Sequence, residues 1–290
     1  MKVKYLKDWE QDMNRCIRCA YCFEGCPVFN DLRWEPDGAR GKVIISYGLL
    51  TGQLEPLNYI TDKIFQCTYC KDCIERCSAN VSIPDILTAA RADLVNAGFE
   101  YEAHKGLLNK IKQTGNIFGK DIEPPSQEGE TPVLLGCRFL ERTDDAKKYL
   151  EILKKLGVQP KILEETCYGM PFAVLGYKDN LATHKEEFRK RFPQKEFICL
   201  CTTCAFFIKK TYPDLRPKYV IEIIAEKLPH YNLKKLGLKV IYHDPCNVAR
   251  GMGMIDEPRE ILKQIGVEVV EMETSGKQAE NAVEVEEVYL

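Results

Sequence analysis

The sequence predicts a multidomain chain of mixed class: an α-helical first part, then an α/β part that carries a truncated internal repeat. Three observations lead there. Up to residue 118 the apolar residues recur with helical spacing, and no segment alternates convincingly as a strand. From residue 132 short apolar runs alternate with amphipathic stretches, the pattern of βαβ units and a largely parallel sheet. Between the two, residues 119–131 (GKDIEPPSQEGET) are rich in Gly, Pro and acidic residues and poor in apolar ones, as an interdomain linker is.

In chain order, helices are expected over 40–50, 84–97 and 101–113. The middle one has Ser82 and Pro84 as start signals and Gly98 as a stop. After the linker, 132–137 (PVLLGC) reads as a strand and 143–156 as a helix ending at Gly157. A strand at 161–163, a charged helix at 178–192, a strand at 197–201 (FICLC) and a helix at 217–228 follow. A strand at 240–243, a helix at 256–265 and a strand at 267–272 complete the pattern. The stretch 151–158 (EILKKLGV) returns as 260–267 (EILKQIGV), and the same offset carries Cys137 onto Cys246. The second copy is cut short: Cys167 falls on Gly276, and counterparts of Cys201 and Cys204 would lie past Leu290. The expected organisation is a helical domain over 1–118, a linker over 119–131 and an α/β domain over 132–290. The last divides into a first unit, 132–235, and an incomplete second unit, 236–290.

With 45% apolar and 29% charged residues, the 290-residue chain has the composition of a globular protein. A net charge of −2 excludes a generally basic nucleic-acid binder. No apolar run reaches membrane-spanning length, and the start of the sequence (MKVKYLKD) has no apolar signal region, so a cytoplasmic location is expected. Membrane association would come only through a partner. The unusual feature is fourteen cysteines, which in such a compartment more often bind metal than form disulfides.

Eight of the cysteines form two groups of identical spacing, Cys16, Cys19, Cys22, Cys26 and Cys67, Cys70, Cys73, Cys77, within the repeat RCIRCAYCFEGCP and QCTYCKDCIERCS. C-x2-C-x2-C-x3-C is an iron–sulfur run: three closely spaced thiolates on one loop grip three irons of a cubane, and the fourth iron takes a ligand from elsewhere. In two-cluster proteins of this kind the fourth Cys of each run serves the other cluster. Cys16, Cys19, Cys22 and Cys77 are therefore expected to hold one [4Fe–4S] cluster, and Cys67, Cys70, Cys73 and Cys26 the other. Zinc sites more often combine two C-x2-C pairs. Pro27 follows Cys26 as the motif expects, whereas Ser78 follows Cys77.

Cys137, Cys167, Cys201 and Cys204 each fall at or just after the carboxyl end of an expected strand, the edge where open parallel sheets bind ligands. They are candidates for a third metal site, an iron–sulfur cluster or a tetrahedral zinc. Cys199 reads as a core residue, and Cys246 stays open between the incomplete second site, a partner's site and no site. His104, His184 and His230 read as surface or capping residues, and His243-Asp244 offers a proton relay beside Cys246. The cluster Lys185, Arg189, Lys190 and Arg191, interleaved with Glu186 and Glu187, reads as a solvated helix face. Gly251-Met-Gly253 is no dinucleotide fingerprint, so hydride chemistry would need a partner subunit.

These residues resemble the iron–sulfur subunits of the heterodisulfide reductase D and glycolate oxidase iron–sulfur subunit family. The tandem runs are joined by a helical insert with Gly38-Ala-Arg-Gly-Lys42, similar to the family's Arg-Gly-Arg element, and Cys67-Thr-Tyr-Cys-Lys-Asp-Cys leads into Val81-Ser-Ile-Pro-Asp85. The second half resembles the family's cysteine-rich CCG domain. Cys137 fits the first position, Cys167-Tyr-Gly-Met-Pro171 the CCG-x-P and Cys201-Thr-Thr-Cys204 the closing pair, while His243-Asp-Pro-Cys246 is similar to the start of a second unit. Tyr168 stands where the family has the second Cys, and the second unit has neither CCG nor C-x2-C.

The resemblance implies an electron-transfer iron–sulfur subunit of a multisubunit oxidoreductase, working between a flavoprotein-type or other oxidoreductase partner and the cysteine-rich domain. It implies two [4Fe–4S] clusters, with a third cluster or zinc open for the second half, and a neighbouring chain as a source of the missing CCG unit. One alternative is a thiol/disulfide reductase subunit with an active cluster in the CCG domain. Another is a non-catalytic scaffold with a structural zinc. No catalytic residue is assigned, and substrate and oligomeric state are not read from the sequence.

Overall fold

The computed structural model describes residues 1–126 and 128–279. The end of the incomplete second unit and residue 127 of the expected linker lie outside the described residues. Four longer helices frame the first domain: α1 (Ala39–Thr51), α2 (Asn58–Phe65), α3 (Ile83–Asn96) and α4 (Glu102–Thr114). Three match the expected helices to within a residue or two. α3 opens with Pro84 in its first turn and ends before Gly98, where φ is positive.

α1 and α3 pack closely because their facing positions are small. Ala89 and Ala90 of α3 are fully buried. On another side of α1, Gly41 meets the preceding turn so tightly that an added Cβ would lie 2.0 Å from the Glu35 carbonyl oxygen. Val43, Leu49, Ile64, Ile86, Leu87 and Leu94 fill the space between the helices. Asp93, fully buried, holds the start of the chain in place. Its carboxylate accepts the backbone N–H groups of Lys4 (2.8 Å), Tyr5 (3.0 Å) and Leu6 (2.9 Å).

The second domain contains two parallel sheets. Its elements are β1 (Thr131–Leu134), α5 (Thr143–Lys155), β2 (Pro160–Ile162), α6 (Lys178–Arg191), β3 (Glu196–Cys199), α7 (Thr202–Thr211), β4 (Arg216–Tyr219), α8 (Val220–Lys227), β5 (Leu238–Ile241), α9 (Asp256–Gln264) and β6 (Val267–Val270). The larger sheet has the order β2-β1-β3-β4, with every pairing parallel. Val133, Leu134, Phe197 and Ile198 fill its core, as strands covered on both faces require. β5 and β6 form a separate parallel pair. The repeat seen in the sequence is physical: β1 pairs Thr131 with Pro160, and β5 pairs Val240 with Val269, the same register carried by the offset that takes Cys137 to Cys246.

The structure differs from expectation in places that have local causes. The helix expected over 217–228 begins only at Val220. Arg216–Tyr219 is instead the edge strand β4, where Pro217 costs no ladder bond and the residues alternate out and in. The strand expected over 132–137 starts one residue earlier and stops at Leu134, because Gly136 has φ +85° and Cys137 opens a short helix to Glu141. Apolar spacing signals neither α7 nor the short helix Met170–Val174. Residues after α4 are tied by Asn116. Its side chain accepts the N–H groups of Phe118 (3.0 Å) and Gly119 (3.1 Å) and donates to the Lys120 carbonyl (2.6 Å).

The two domains meet along a polar seam. Arg91 of α3, 3% exposed, donates to the carbonyls of Ile64 (3.1 Å), Phe65 (3.0 Å) and Cys67 (2.9 Å), and across the seam to Val174 (2.7 Å). Its guanidinium also lies over the rings of Phe65 and Tyr69. Replacing it strands several buried carbonyls at once. Arg91→Met is expected to lower stability by about 3 kcal/mol, read as a lower midpoint in denaturant unfolding of the anaerobically purified full chain.

Candidate metal centres

The two cysteine runs fold into loops of matching shape. Arg18 and Ala20 in the first, and Tyr69 and Lys71 at the equivalent positions of the second, all have positive φ, between 58° and 69°. Four non-glycine residues in the left-handed region, at matched places, are backbone strain held by the surroundings. The bends turn the sulfurs inward. One apolar cavity is lined by Cys16, Cys19, Cys22 and Cys77, and a second by Cys26, Cys67, Cys70 and Cys73. Cys26 caps the helix Pro27–Leu32, so backbone N–H groups of Val28 and Phe29 face its sulfur. The N–H of Val81 points at Cys77 Sγ (3.3 Å).

Burial dominates the electrostatics of both cavities. It pushes the Cys22 thiol up to about 12 and the Cys70 thiol up to about 11, and it drives Cys73 well above the usual thiol range. Such thiols ionise only with positive charge at the sulfur, which a metal supplies directly. The protein adds its own. Helix α1 presents the Arg40 backbone N–H to Cys22 and brings buried Lys42 against Cys26 and Cys67. Burial lowers the Lys42 ammonium, and the two neighbouring cysteines oppose that shift.

In the second domain the chain runs from β1 outward to β2 and then returns past β1 to β3, so the switch point of the sheet lies between β1 and β3. Cys137 follows β1, Cys167 follows β2 and Cys201 follows β3. All four candidate cysteines of this half are buried, and they face one another there. Cys167 donates to Cys137, which is held below the ordinary thiol range while Cys167 is pushed above it. Cys204 donates to Cys201. That bond, with the N–H groups of Thr203 and Cys204 at the start of α7, brings Cys201 down to about 7 against burial. Gly136 makes room: a Cβ there would meet Cys201 Cβ at 2.7 Å and Cys204 Sγ at 2.8 Å. Among the described residues no three His, Cys, Asp or Glu side chains are grouped so as to hold one metal ion. A cubane bonds each thiolate to a different iron, so its ligands need not converge on one point.

Spacing does not single out three neighbours of this site. Glu165 accepts the backbone N–H groups of Leu135 (2.6 Å) and Gly136 (2.9 Å), and burial raises its carboxyl to about 8 despite those bonds. Tyr168, at the missing second Cys, packs its ring beside the four thiols, and its carbonyl accepts the Tyr212 hydroxyl (2.7 Å). His184, expected at the surface, stacks on Phe172 and hydrogen-bonds the Cys167 carbonyl (2.6 Å). The signal for it is its position on the inner face of α6, which is visible only once β2 and α6 are placed. Cys199 is fully buried, as its strand alternation suggests, and donates to the Cys201 carbonyl (3.3 Å).

Asp244 is buried and committed to structure: it receives Arg259 through both oxygens (2.8 and 2.7 Å) and the Gly276 N–H (2.7 Å). Cys246 lies beside Lys71 of the second cysteine loop.

Residues 12–81 match the 4Fe-4S dicluster domain family, and residues 133–206 and 240–280 match the cysteine-rich domain family called CCG. The two matches follow one another along the chain, the dicluster domain first and the cysteine-rich domain second. The dicluster domain indicates two [4Fe–4S] clusters, and the CCG domain is consistent with an additional one. The chain is 28% identical to a fumarate reductase (CoM/CoB) subunit of Methanothermobacter marburgensis, over 90% of this chain and 57% of that protein. It is 27% identical to a subunit of the dihydromethanophenazine:CoB–CoM heterodisulfide reductase of Methanosarcina mazei, over 90% and 75%. With the EtfAB:quinone oxidoreductase of Syntrophomonas wolfei it shares 24% identity, over 90% and 46%. The chain thus spans about half the length of two of these relatives and three quarters of the third. No solved structure matches it. No helix among the described residues is long and apolar enough to cross a membrane.

Two measurements probe this architecture. Gly136→Ala forces a side chain into the Cys201–Cys204 pair at a left-handed backbone position. A loss of about 3 kcal/mol is expected in denaturant unfolding, together with altered thiol reactivity of Cys201. Asp244→Asn removes one half of a buried ion pair and is expected to cost about 3 kcal/mol at neutral pH. Burial works to raise the Asp244 carboxyl, but Arg259 and the Gly276 N–H hold it below its ordinary value. Its stabilisation is therefore present above the unfolded pKa, about 3.9, and is lost as pH falls through the lower folded value. The acid limb of a stability–pH curve should flatten in Asp244→Asn.

Proposed function

We propose that the chain is the electron-transfer iron–sulfur subunit of a cytoplasmic oxidoreductase complex. On this reading Cys16, Cys19, Cys22 and Cys77 hold one [4Fe–4S] cluster, and Cys26, Cys67, Cys70 and Cys73 the other. When bound, these groups supply one-electron redox chemistry near the start of the chain, and a third centre at Cys137, Cys167, Cys201 and Cys204 extends it. The observation that carries the reading is the seam between the second cysteine loop and the CCG domain. Arg250 donates to the Cys70 carbonyl (2.7 Å), and Lys71 donates to Asn247 (2.6 Å), which in turn reaches Thr203 (3.3 Å), one of the two residues between Cys201 and Cys204. A short chain of covalent and hydrogen bonds therefore joins one cysteine set to the next. The surrounding apolar side chains keep water from Cys22 and Cys73, the two buried thiols of these sets, and Arg40 and Lys42 offset the negative charge.

Names of the relatives support this class of role, and two of them designate subunits of reductases. The electron donor or acceptor is taken to be a flavoprotein or another oxidoreductase subunit. A second reading, thiol/disulfide reduction at the third site, is favoured by one observation. A polar cleft of about 830 Å³ is lined by Glu165, His184 and Thr166, the residue before Cys167. No observation favours the zinc scaffold.

The pairing of cysteines across the two loops is open to a direct experiment. The anaerobically purified full chain is expected to hold at least about eight iron and eight sulfide, from two cubanes. In electron paramagnetic resonance, Cys77→Ser should perturb the same reduced signal as Cys19→Ser, and Cys26→Ser the same signal as Cys70→Ser. If Cys77→Ser instead shares the phenotype of Cys70→Ser, the interleaved pairing fails.

A further inference from the structure

The two cysteine loops have nearly the same backbone, yet the protein treats them oppositely. The second is covered. Lys71 lies over the Phe206 ring at 3.6 Å and binds Asn247, Arg250 binds the Cys70 carbonyl and pairs with Asp72 (3.6 Å), and Lys277 pairs with Glu75 (3.2 Å). Asp72 is only 2% exposed. At the equivalent place in the first loop stands Tyr21, 64% exposed, and Ile17 is 68% exposed. Cys19 between them is exposed as well.

What sets these two apart from other exposed apolar side chains of the chain is that they flank Cys19, a lining residue of the first cysteine cavity. The loop is not loose: Arg40 donates to the Arg18 carbonyl (2.7 Å) and stacks on Phe23. The acidic residues that flank it are already engaged, Asp12 by Arg15 and Glu24 by Arg76. From residue 13 to residue 23 the sequence holds Arg15 and Arg18 and no acidic residue. Arg15 is engaged by Asp12, while the Arg18 side chain is exposed and makes no ion pair among the described residues. An apolar centre with an unpaired cation at its rim is the composition of a protein-binding patch, and the uncompensated charge selects a partner of opposite sign.

We propose that Ile17, Arg18 and Tyr21 form the docking surface for an acidic electron-carrier protein, one whose redox group is rimmed by carboxylates. The proposal rests on the electron-transfer reading above and adds where the external partner sits and what charge it carries. With a cluster held by Cys16, Cys19, Cys22 and Cys77, the reduced carrier would give up one electron to it. No bond is made or broken and no proton moves. The buried second loop then faces the CCG domain, so the internal repeat provides one contact for an external protein and one for an internal partner.

The probe is reduced flavodoxin, an acidic flavoprotein, mixed with the oxidised full chain in a stopped-flow instrument, with the methyl viologen radical as a small donor that needs no docking. Arg18→Glu and Ile17→Gln are each expected to slow reduction by flavodoxin about tenfold at low salt. Arg18→Glu should also abolish the salt dependence, and Arg18→Lys should keep both rate and salt dependence. Reduction by methyl viologen and the iron content are measured on every variant, and the expected loss of about tenfold is in the flavodoxin rate relative to the viologen rate per iron, so a change at the centre itself is divided out. Titration of oxidised flavodoxin against the chain, followed by light scattering or nuclear magnetic resonance, should show binding weakened by the same substitutions. Equal flavodoxin rates in all variants would overturn the proposal. So would loss of rate in Trp34→Ala, which alters the separate exposed aromatic pair Trp34 and Tyr59. If methyl viologen fails to reduce the unsubstituted chain, the electron-transfer reading itself fails, which the docking variants alone cannot produce.

Discussion

A thiolate is costly to bury without positive charge beside it, and this chain gathers eight cysteines around two small apolar cavities. Much of the first domain answers that constraint. α1 starts at Ala39 directly after a tight turn, and Gly41 lets the helix lie against that turn, so Arg40 reaches the first cavity while Lys42 reaches the second. The left-handed residues at matched positions in both loops show that the backbone yields to the sulfurs rather than the reverse. Hydrophobic burial by α2 and α3 closes the cavities and supplies the stability against which that strain is held.

The same constraint returns in the second domain in a different form. There the thiols come from separate strands, and no loop wraps them. They are brought together because parallel strands deliver their carboxyl ends to one edge, and the order β2-β1-β3-β4 opens a crevice at the switch point. Thiol-to-thiol hydrogen bonds and the start of α7 lower two of the four sulfurs. Glu165, closed in by the same crevice, tethers the β1 exit that carries Cys137. The lost second Cys of the CCG pattern is filled by an aromatic ring, which keeps the crevice packed without supplying a ligand.

Between these centres the seam is built from cations on carbonyls. Arg91 and Arg250 each bind backbone oxygens of the second cysteine loop and reach into the other domain. Such bonds fix position more than they add affinity, because a guanidinium holds several acceptors in one plane. They explain why one of two similar loops is buried and the other faces water.

Much of this was legible in the sequence. The exact repeat of C-x2-C-x2-C-x3-C sets the chemistry of the first domain, since short spacers allow only a few ways of wrapping a shared ligand. The change from helical to alternating apolar pattern at the linker gives the division of classes, and the offset repeat gives the register of β5 on β6. Other features depended on contacts between residues far apart in the chain. Pro217 turns an expected helix into an edge strand only because β3 lies beside it. His184 and Glu165 acquire roles only once α6 and β1 surround the crevice. The opposite exposures of Tyr21 and Asp72 have no local cause at all. Local spacing determines which side chains can bind a group together, but burial, and with it charge and access, is decided by what the rest of the chain packs against them.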